Sequence, residues 1–369
     1  MAPAVTTLTG GITRHDATLA DGRDLIYYDD ADTVLSAERA VDARALDPRP
    51  TTATMRQDPL TGEWISIAAS RQNRVFLPPA HQDPLAPATP DNPSEVPDNY
   101  DVVVFENRSP SFGPDLGPVE TSGIGLGRTQ PSHGRCEVVC FSPAHEGSFG
   151  SQTRSRARTV IEAWADRTAF LSALPGVEQV FPFENRGEAI GVTLHHPHGQ
   201  IYSYPYITPR TQRLLASIAQ YGGSLQHDIL EFERSSERVV LSGDHFTAYV
   251  PFAARWPIEV HLMPHRHVTD FAATTVAERD ELSELYLRLL RGIDELYDTP
   301  TPYIAAWHQA PVSRPDVRLT LQLTSPRRAE SKLKYLAGSE SAMGAWIGDI
   351  VPESAAEFIR EGISKVGRL

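Results

Sequence analysis

The sequence predicts an α+β fold, an antiparallel sheet flanked by helices. Three observations carry the prediction. Short β-prone runs recur at 64–67, 101–105, 137–141, 179–181 and 200–204, and runs of this density build a sheet together. Two longer stretches, 153–174 and 275–297, place apolar side chains at helical spacing. The order of strands, helix and strands then occurs a second time after residue 237, so the chain reads as a pseudo-repeat.

Taken in order, residues 1–54 are polar and hold only short hairpin-like pieces such as Leu25-Ile26-Tyr27-Tyr28 between Asp/Gly turns. They read as an N-terminal extension outside the main fold. Residues 78–97 contain Pro-Pro, Asp-Pro and Ala-Pro steps; each proline pushes its predecessor out of the helical region, which predicts an irregular connection. In 153–174, Val160, Trp164 and Leu171 recur at helical spacing while Arg154, Arg156 and Arg158 fall near the start, as expected for a helix packed on a sheet. The second set has strands near 238–241, 246–252 and 258–263. A helix with Leu282, Leu285, Leu289 and Leu296 on one face follows, then strands near 303–307 and 318–324.

Composition narrows the functional classes. A chain of 369 residues with 40% hydrophobic content has room for two domains of ordinary size or one large one. Its net charge of −13 leaves no basic stripe for nucleic acid. A small phosphorylated molecule needs only a few local cations or N–H groups, and Arg71, Arg74, Arg186 and Lys334 are candidates. The two cysteines, Cys136 and Cys140, share one strand. Extension separates them by about 13 Å, too far for a disulfide. The start lacks a basic, apolar signal, and no apolar run reaches the ~20 residues that span a bilayer. The expectation is a cytoplasmic protein without membrane or nucleic-acid partners.

Chemistry concentrates in Gly191-Val192-Thr193-Leu194-His195-His196-Pro197-His198-Gly199-Gln200. An imidazole is a good nucleophile near neutral pH without any activating base, so His198 needs only orientation. Pro197 fixes the backbone before it, Gly199 allows close approach of a ligand, and Gln200 can donate an amide hydrogen bond to a phosphoryl oxygen. The natural electrophile for such a group is phosphorus. The histidines by themselves also fit metal ligands or hydrogen-bonded turn residues.

Phe183-Glu184-Asn185-Arg186-Gly187, Gly191-Val192-Thr193 and the run from His196 to Gln200 together resemble the active-site run of the galactose-1-phosphate uridylyltransferases, members of the histidine-triad superfamily. Asp58 to Trp64 with Arg71 and Arg74, Cys140 to His145, Val250 to Glu259, Leu262 to His267, Ala306 to His308 and Lys334 to Glu340 resemble further blocks of that family in the same order. The similarity spans residues 55–365. It implies two histidine-triad-like halves, 55–215 with the nucleophile and 216–369 without it. It also implies a ping-pong exchange of UMP between UDP-glucose and galactose-1-phosphate through a covalent uridylyl-histidine on His198.

The resemblance assigns roles as well. Gln200 donates to the transferring phosphoryl group, and Thr193 faces the phosphate of the sugar phosphate. Asn107 and Asn185 lie near the nucleotide. Arg71 and Arg74 reach toward phosphate across the interface of a homodimer, and Lys334 and Glu340 belong to the hexose end. His196 steers the loop that aims His198.

Departures from the family pattern concern metals. Where many relatives carry a zinc-binding Cys-x-x-Cys, this chain has Asp83-Pro84-Leu85-Ala86. His145, His196 and Asp83 remain as remnant candidates, one ligand short of a tetrahedral site, so zinc is expected to be absent and no cofactor required. A second, iron-type site of some relatives would use His308 and two histidines on the next strand, which here reads Leu319-Thr320-Leu321-Gln322-Leu323. His308 is therefore expected to be structural, and His261, His265 and His267 to be a strand-end motif. Ser339 and residues 341–346 depart at the hexose end, which leaves a nucleotide-sugar phosphorylase or adenylyltransferase open. The lost cysteines and histidine pair are the feature that favours a non-catalytic nucleotide-binding protein.

Overall fold

A computed structural model describes residues 5–49, 53–69, 77–114 and 126–367. The chain begins with β1 (Val5–Thr7), β2 (Thr13–Thr18) and β3 (Asp24–Asp29), followed by β4 (Thr54–Gln57), β5 (Trp64–Ile67), β6 (Val102–Glu106) and β7 (Arg128–Pro131). Next come β8 (Arg135–Cys140), helix α1 (Arg154–Ser172), β9 (Gln179–Arg186), β10 (His198–Tyr204), α2 (Pro209–Tyr221) and α3 (Leu225–Arg234). The second half holds β11 (Val239–Ser242), β12 (Phe246–Tyr249), β13 (Ile258–Pro264), α4 (Val276–Asp294), β14 (Tyr303–His308) and β15 (Thr320–Ser325). A hairpin of β16 (Arg327–Ala329) and β17 (Lys332–Leu333), then α5 (Gly338–Met343) and α6 (Pro352–Val366), complete it.

One antiparallel sheet of 12 strands runs β1-β2-β3-β6-β8-β10-β9-β14-β15-β13-β12-β11, and β5-β4-β7 form a separate three-stranded sheet. This is the α+β class expected. The pseudo-repeat is visible in the strand order: β6-β8-β10-β9 on one side is mirrored by β12-β13-β15-β14 on the other, and β9 pairs with β14 where they meet. Helices α1 and α4 occupy equivalent places and pack on the same face. Thr153 caps α1 by accepting from Arg156 N–H, and the Thr275/Glu278 capping box starts α4. The two helices are tied by Glu162, which accepts from Arg158 Nη1 at 2.6 Å and from Arg279 Nη1 at 2.8 Å.

The main core lies between helices and sheet, with Trp164, Ile201, Leu289 and Trp307 among its members. Alternation along β10 sends Ile201 into this core and leaves His198, Gln200, Tyr202 and Tyr204 on the opposite, half-buried face. That opposite face is covered by residues 80–100, irregular as the prolines predict. Beneath them a second core joins Leu85, Tyr100, Val103, Phe105, Val138 and Cys140.

Residues 5–29 correct the expectation of an extension outside the fold: β1, β2 and β3 lengthen the main sheet, and β3 pairs with β6 from Leu25↔Phe105 to Tyr28↔Val102. Leu25 and Tyr27 enter the second core while Ile26 and Tyr28 enter the first. A four-residue apolar run reads as an isolated hairpin when its partner strand lies some 75 residues later.

Candidate active site

The glycine-bounded approach to β10 sets His198 at the first position of the strand. Gly187 and Gly191 take positive φ values of 91° and 80° on either side of the turn 188–190, where side-chain-bearing residues would be strained. Phe141 N–H then bonds the Pro197 carbonyl at 2.9 Å, and His198 pairs opposite Cys140. Gly199 lies where an added Cβ would meet the Phe141 ring at 2.8 Å and the Phe183 carbonyl at 2.9 Å. The strand can come this close to its neighbours only without a side chain there, and that closeness fixes the residues on both sides of it.

The ring of His198 is oriented by one hydrogen bond: its Nδ1 lies 2.7 Å from the backbone carbonyl oxygen of His196. A carbonyl can only accept, so Nδ1 carries the proton and Nε2 carries the lone pair. Burial pushes the imidazole below its ordinary pKa of 6.5, against the opposing pull of the His196 carbonyl, and so favours the neutral form.

Two cavities flank this ring. One, of about 320 Å³, is bordered by Asn107, Thr193, His198 and Gln200 together with the apolar side chains of Leu85 and Phe105. The other, of about 300 Å³, is bordered by Asn185, Arg186, His195, His196 and His198. The fold thus brings His198, Gln200, Thr193, Asn107, Asn185 and His196 to one place. Arg186 reaches it already engaged, bound to Asp294 at 2.6 Å. Asn107 Oδ1 accepts from Ser109 N–H at 2.9 Å, which leaves its amide NH2 as the group to offer a ligand.

Arg71 and Arg74 lie outside the described residues. Lys334 and Glu340 pair with each other at 3.8 Å, and Lys334 Nζ donates to the carbonyls of Arg255 and Ile347. Arg255 leads into β13, four strand steps from β10. Lys334 N–H in turn bonds the Pro326 carbonyl just past β15, three steps from β10, so the pair sits beyond the junction of β9 and β14. Among the described residues nothing brings the hexose-end candidates to His198.

His196 is 2% exposed and both ring nitrogens are engaged, Nδ1 with Asp83 Oδ2 at 2.8 Å and Nε2 with the Tyr100 hydroxyl at 2.8 Å. Its contribution to His198 is therefore its carbonyl, not its ring. Asp83 Oδ2 also lies 2.8 Å from His145 Nδ1. Burial alone would raise the Asp83 carboxyl, but the hydrogen bonds from His196 and His145 outweigh it and bring it down to about 2. One carboxylate thus binds both imidazoles directly. Tetrahedral zinc keeps its ligands at about 2 Å from the metal and about 3.3 Å from one another, wider than these contacts, and Ala86 offers no donor. Among the described residues no group of three or more His, Cys, Asp or Glu is placed to hold a metal ion.

In the second half, β15 is the counterpart of β10. There Glu259 accepts from Gln322 Nε2 at 2.7 Å and lies 3.1 Å from His261 Nε2. Burial, helped by Arg210 and His261, lowers His308 to about 3, so this histidine stays neutral. His265 and His267 bond to the carbonyls of Asp244 and Pro315 in the turn after β13. Sequence reasoning missed Arg23, Glu95 and Arg108, which also border the first cavity. Arg108 follows Asn107 directly and was within reach; Arg23 and Glu95 belong to no motif.

A doubled sheet with one open imidazole nitrogen set between two cavities is the architecture of a group-transfer enzyme. The chain belongs to the galactose-1-phosphate uridylyltransferase family: the model of that family's N-terminal domain matches residues 44–208 and that of its C-terminal domain residues 209–327. It is 44% identical to a galactose-1-phosphate uridylyltransferase of Streptomyces lividans, covering 93% of this chain and 96% of that one. Identity to the enzyme of that name from Thermotoga maritima is 35%, over 83% of this chain and 98% of that one. A solved uridylyltransferase structure superposes with a TM-score of 0.76 at 29% identity, covering 85% and 99% of the two chains. An ADP-glucose phosphorylase from Arabidopsis thaliana shares the fold, with a TM-score of 0.63 at 23% identity over 83% and 97%.

Proposed function

We propose that this protein exchanges UMP between UDP-glucose and galactose-1-phosphate by a ping-pong mechanism in which His198 carries the uridylyl group. The family supports the reaction, and one observation supports the nucleophile: Nδ1 of His198 is committed to the His196 carbonyl, so Nε2 is the lone pair left facing the cavities. In the first half-reaction Nε2 attacks the α-phosphorus, the bond from phosphorus to the bridging oxygen breaks, and glucose-1-phosphate leaves with the electron pair. The ring takes up positive charge, which the Nδ1–H···O=C bond stabilises. In the second, a phosphate oxygen of galactose-1-phosphate attacks phosphorus and the P–N electron pair returns to Nε2. Neither step needs an external proton, so donors around phosphorus, such as the Gln200 amide and the Thr193 hydroxyl, do most of the work.

The same reading includes a homodimer in which Lys334 and Glu340 serve the His198 of the partner subunit, supported by their separation from the nucleophile within one chain. It places the protein in the cytoplasm, supported by two buried cysteines that remain thiols. Among the described residues no helix is long and apolar enough to cross a membrane. It also dispenses with zinc, supported by the direct bonds of Asp83 to both histidines. Elemental analysis of protein expressed in zinc-supplemented medium is expected to find far less than one zinc per chain; a stoichiometric amount would refute this part alone.

Intact-mass spectrometry tests the central reading. Mixing with UDP-glucose is expected to add one UMP to the chain, and galactose-1-phosphate to remove it. His198→Asn is expected to show no adduct. Absence of an adduct on the unaltered protein would sink the proposal.

A further inference from the structure

The cavity beside His198 extends past the residues that the family's domain models match. The family match begins at residue 44, yet Arg23, from the turn between β2 and β3, borders the same cavity as Thr193, His198 and Gln200. The Arg23 side chain is fully enclosed. Its Nε donates to the Asp21 carboxylate at 2.8 Å, its Nη1 to the Glu106 carbonyl at 2.8 Å and its Nη2 to Glu95 Oε2 at 2.6 Å. Glu95, also on the cavity, is held further by its own N–H, which donates to the Pro84 carbonyl at 2.8 Å, and by Arg44 at 3.7 Å from Oε1. A buried guanidinium is costly unless its donors are matched, so this one rigidly places the carboxylate it holds.

The walls of the cavity sort by chemistry. His198 and Gln200 lie at the end suited to a phosphoryl group. Leu85, Phe105 and Val138 offer an apolar surface fit for a planar base. Glu95 supplies an acceptor-only group. The donors on a uridine are its ribose hydroxyls and the N3–H of its base. We propose that Glu95, held by Arg23 of the N-terminal strands, accepts a hydrogen bond from the uridine of the nucleotide sugar and sets the specificity of the first half-reaction. Arg23 is then a positioning residue, and the strands ahead of the matched domain model are part of the substrate site. The inference rests on the UMP-transfer reading.

Ping-pong kinetics separate this role from a structural one. In the first half-reaction, uridine binding contributes to kcat/KM for UDP-glucose. In the second, uridine is already attached, so its contacts are the same in the ground and transition states and cancel. Glu95→Gln is therefore expected to lower kcat/KM for UDP-glucose by about tenfold or more, as for a lost hydrogen bond to a charged group. The value for galactose-1-phosphate should stay within about twofold. Arg23→Gln should show the same pattern, weaker. The gap between unaltered protein and Glu95→Gln should close with the 2′-deoxy, the 3′-deoxy or the 3-methyluridine analogue of UDP-glucose, whichever lacks the donor. Equal losses in both half-reactions, no loss in either, or a gap that survives all three analogues would overturn the inference. Failure of the unaltered protein to form an adduct would instead remove the reading beneath it.

Discussion

A backbone carbonyl selects the reactive nitrogen of this site. His198 stands between a carbonyl that fixes one ring nitrogen and two cavities that receive the other, and burial keeps the ring neutral. The sign of the pH effect follows. Only the neutral ring attacks phosphorus, and its pKa lies below 6.5, so adduct formation should rise with pH along a limb centred below 6.5 and be level from about pH 7 upward. Rapid-quench rates of uridylylation between about pH 5 and 8 measure this; a limb at or above 6.5 would contradict the buried ring. The run from His196 to Gln200 marks the proposed nucleophile in the sequence, because a histidine, a proline and a glycine at that spacing carry their meaning locally. That His196 steers the loop aiming His198 is an expectation of the sequence; that its carbonyl is what meets the ring, its own ring being spent on Asp83 and Tyr100, is visible only in the fold. Arg23 and Glu95, 72 residues apart, meet only through folding.

Strand β9 joins the two halves of the sheet, and its middle is where the pairing changes hands. Residues up to Phe183 pair with β10, while those from Phe183 to Arg186 pair with β14. At the changeover Glu184, which also borders the second cavity, is held by two hydrogen bonds; one carboxyl oxygen accepts from Phe149 N–H at 3.0 Å and the other from the Tyr303 hydroxyl at 2.8 Å. Burial raises this carboxyl from 4.5 to about 7. The folded chain therefore binds a proton that the unfolded chain has released, and the stability this gives is present at low pH and lost as pH rises from about 4.5 to 7. The full swing is about 3 kcal/mol on the scale of 1.4 kcal/mol per pKa unit. Glu184→Gln keeps a neutral hydrogen-bonding group in place. Urea unfolding at about pH 5 and pH 8 should show the variant gaining on the parent as pH rises, by that order of magnitude; an unchanged difference at the two values would show that Glu184 stays ionised. The Phe-Glu-Asn-Arg-Gly motif was legible from residue types, but only the fold shows that Glu184 and Asn185 both border the second cavity while the Glu184 carboxyl is spent on Phe149 and Tyr303 at the seam.

The doubled architecture was legible because each half writes the same periodicities in the same order. Its consequence for the site was not, because the halves have diverged: β10 begins with His198, while its counterpart β15 offers Thr320 and Gln322. On the proposed reading one chain therefore carries one nucleophile, His198. The residues expected at the hexose lie by β15 and β13, on the far side of the seam from it. Closure by a two-fold axis would let each chain lend its Lys334 and Glu340 to the other and make two sites at once. Mixing tests this. His198→Asn and Glu340→Ala dimers should each be nearly inactive. After denaturation and joint refolding in equal amounts, about half the dimers are mixed, and each mixed dimer has one site with both residues intact and one with neither. Activity should return to about a quarter of the unaltered level per chain. If the two residues act within one chain, no mixed dimer contains an intact site and nothing returns, so recovery of activity decides between a shared site and a self-contained one.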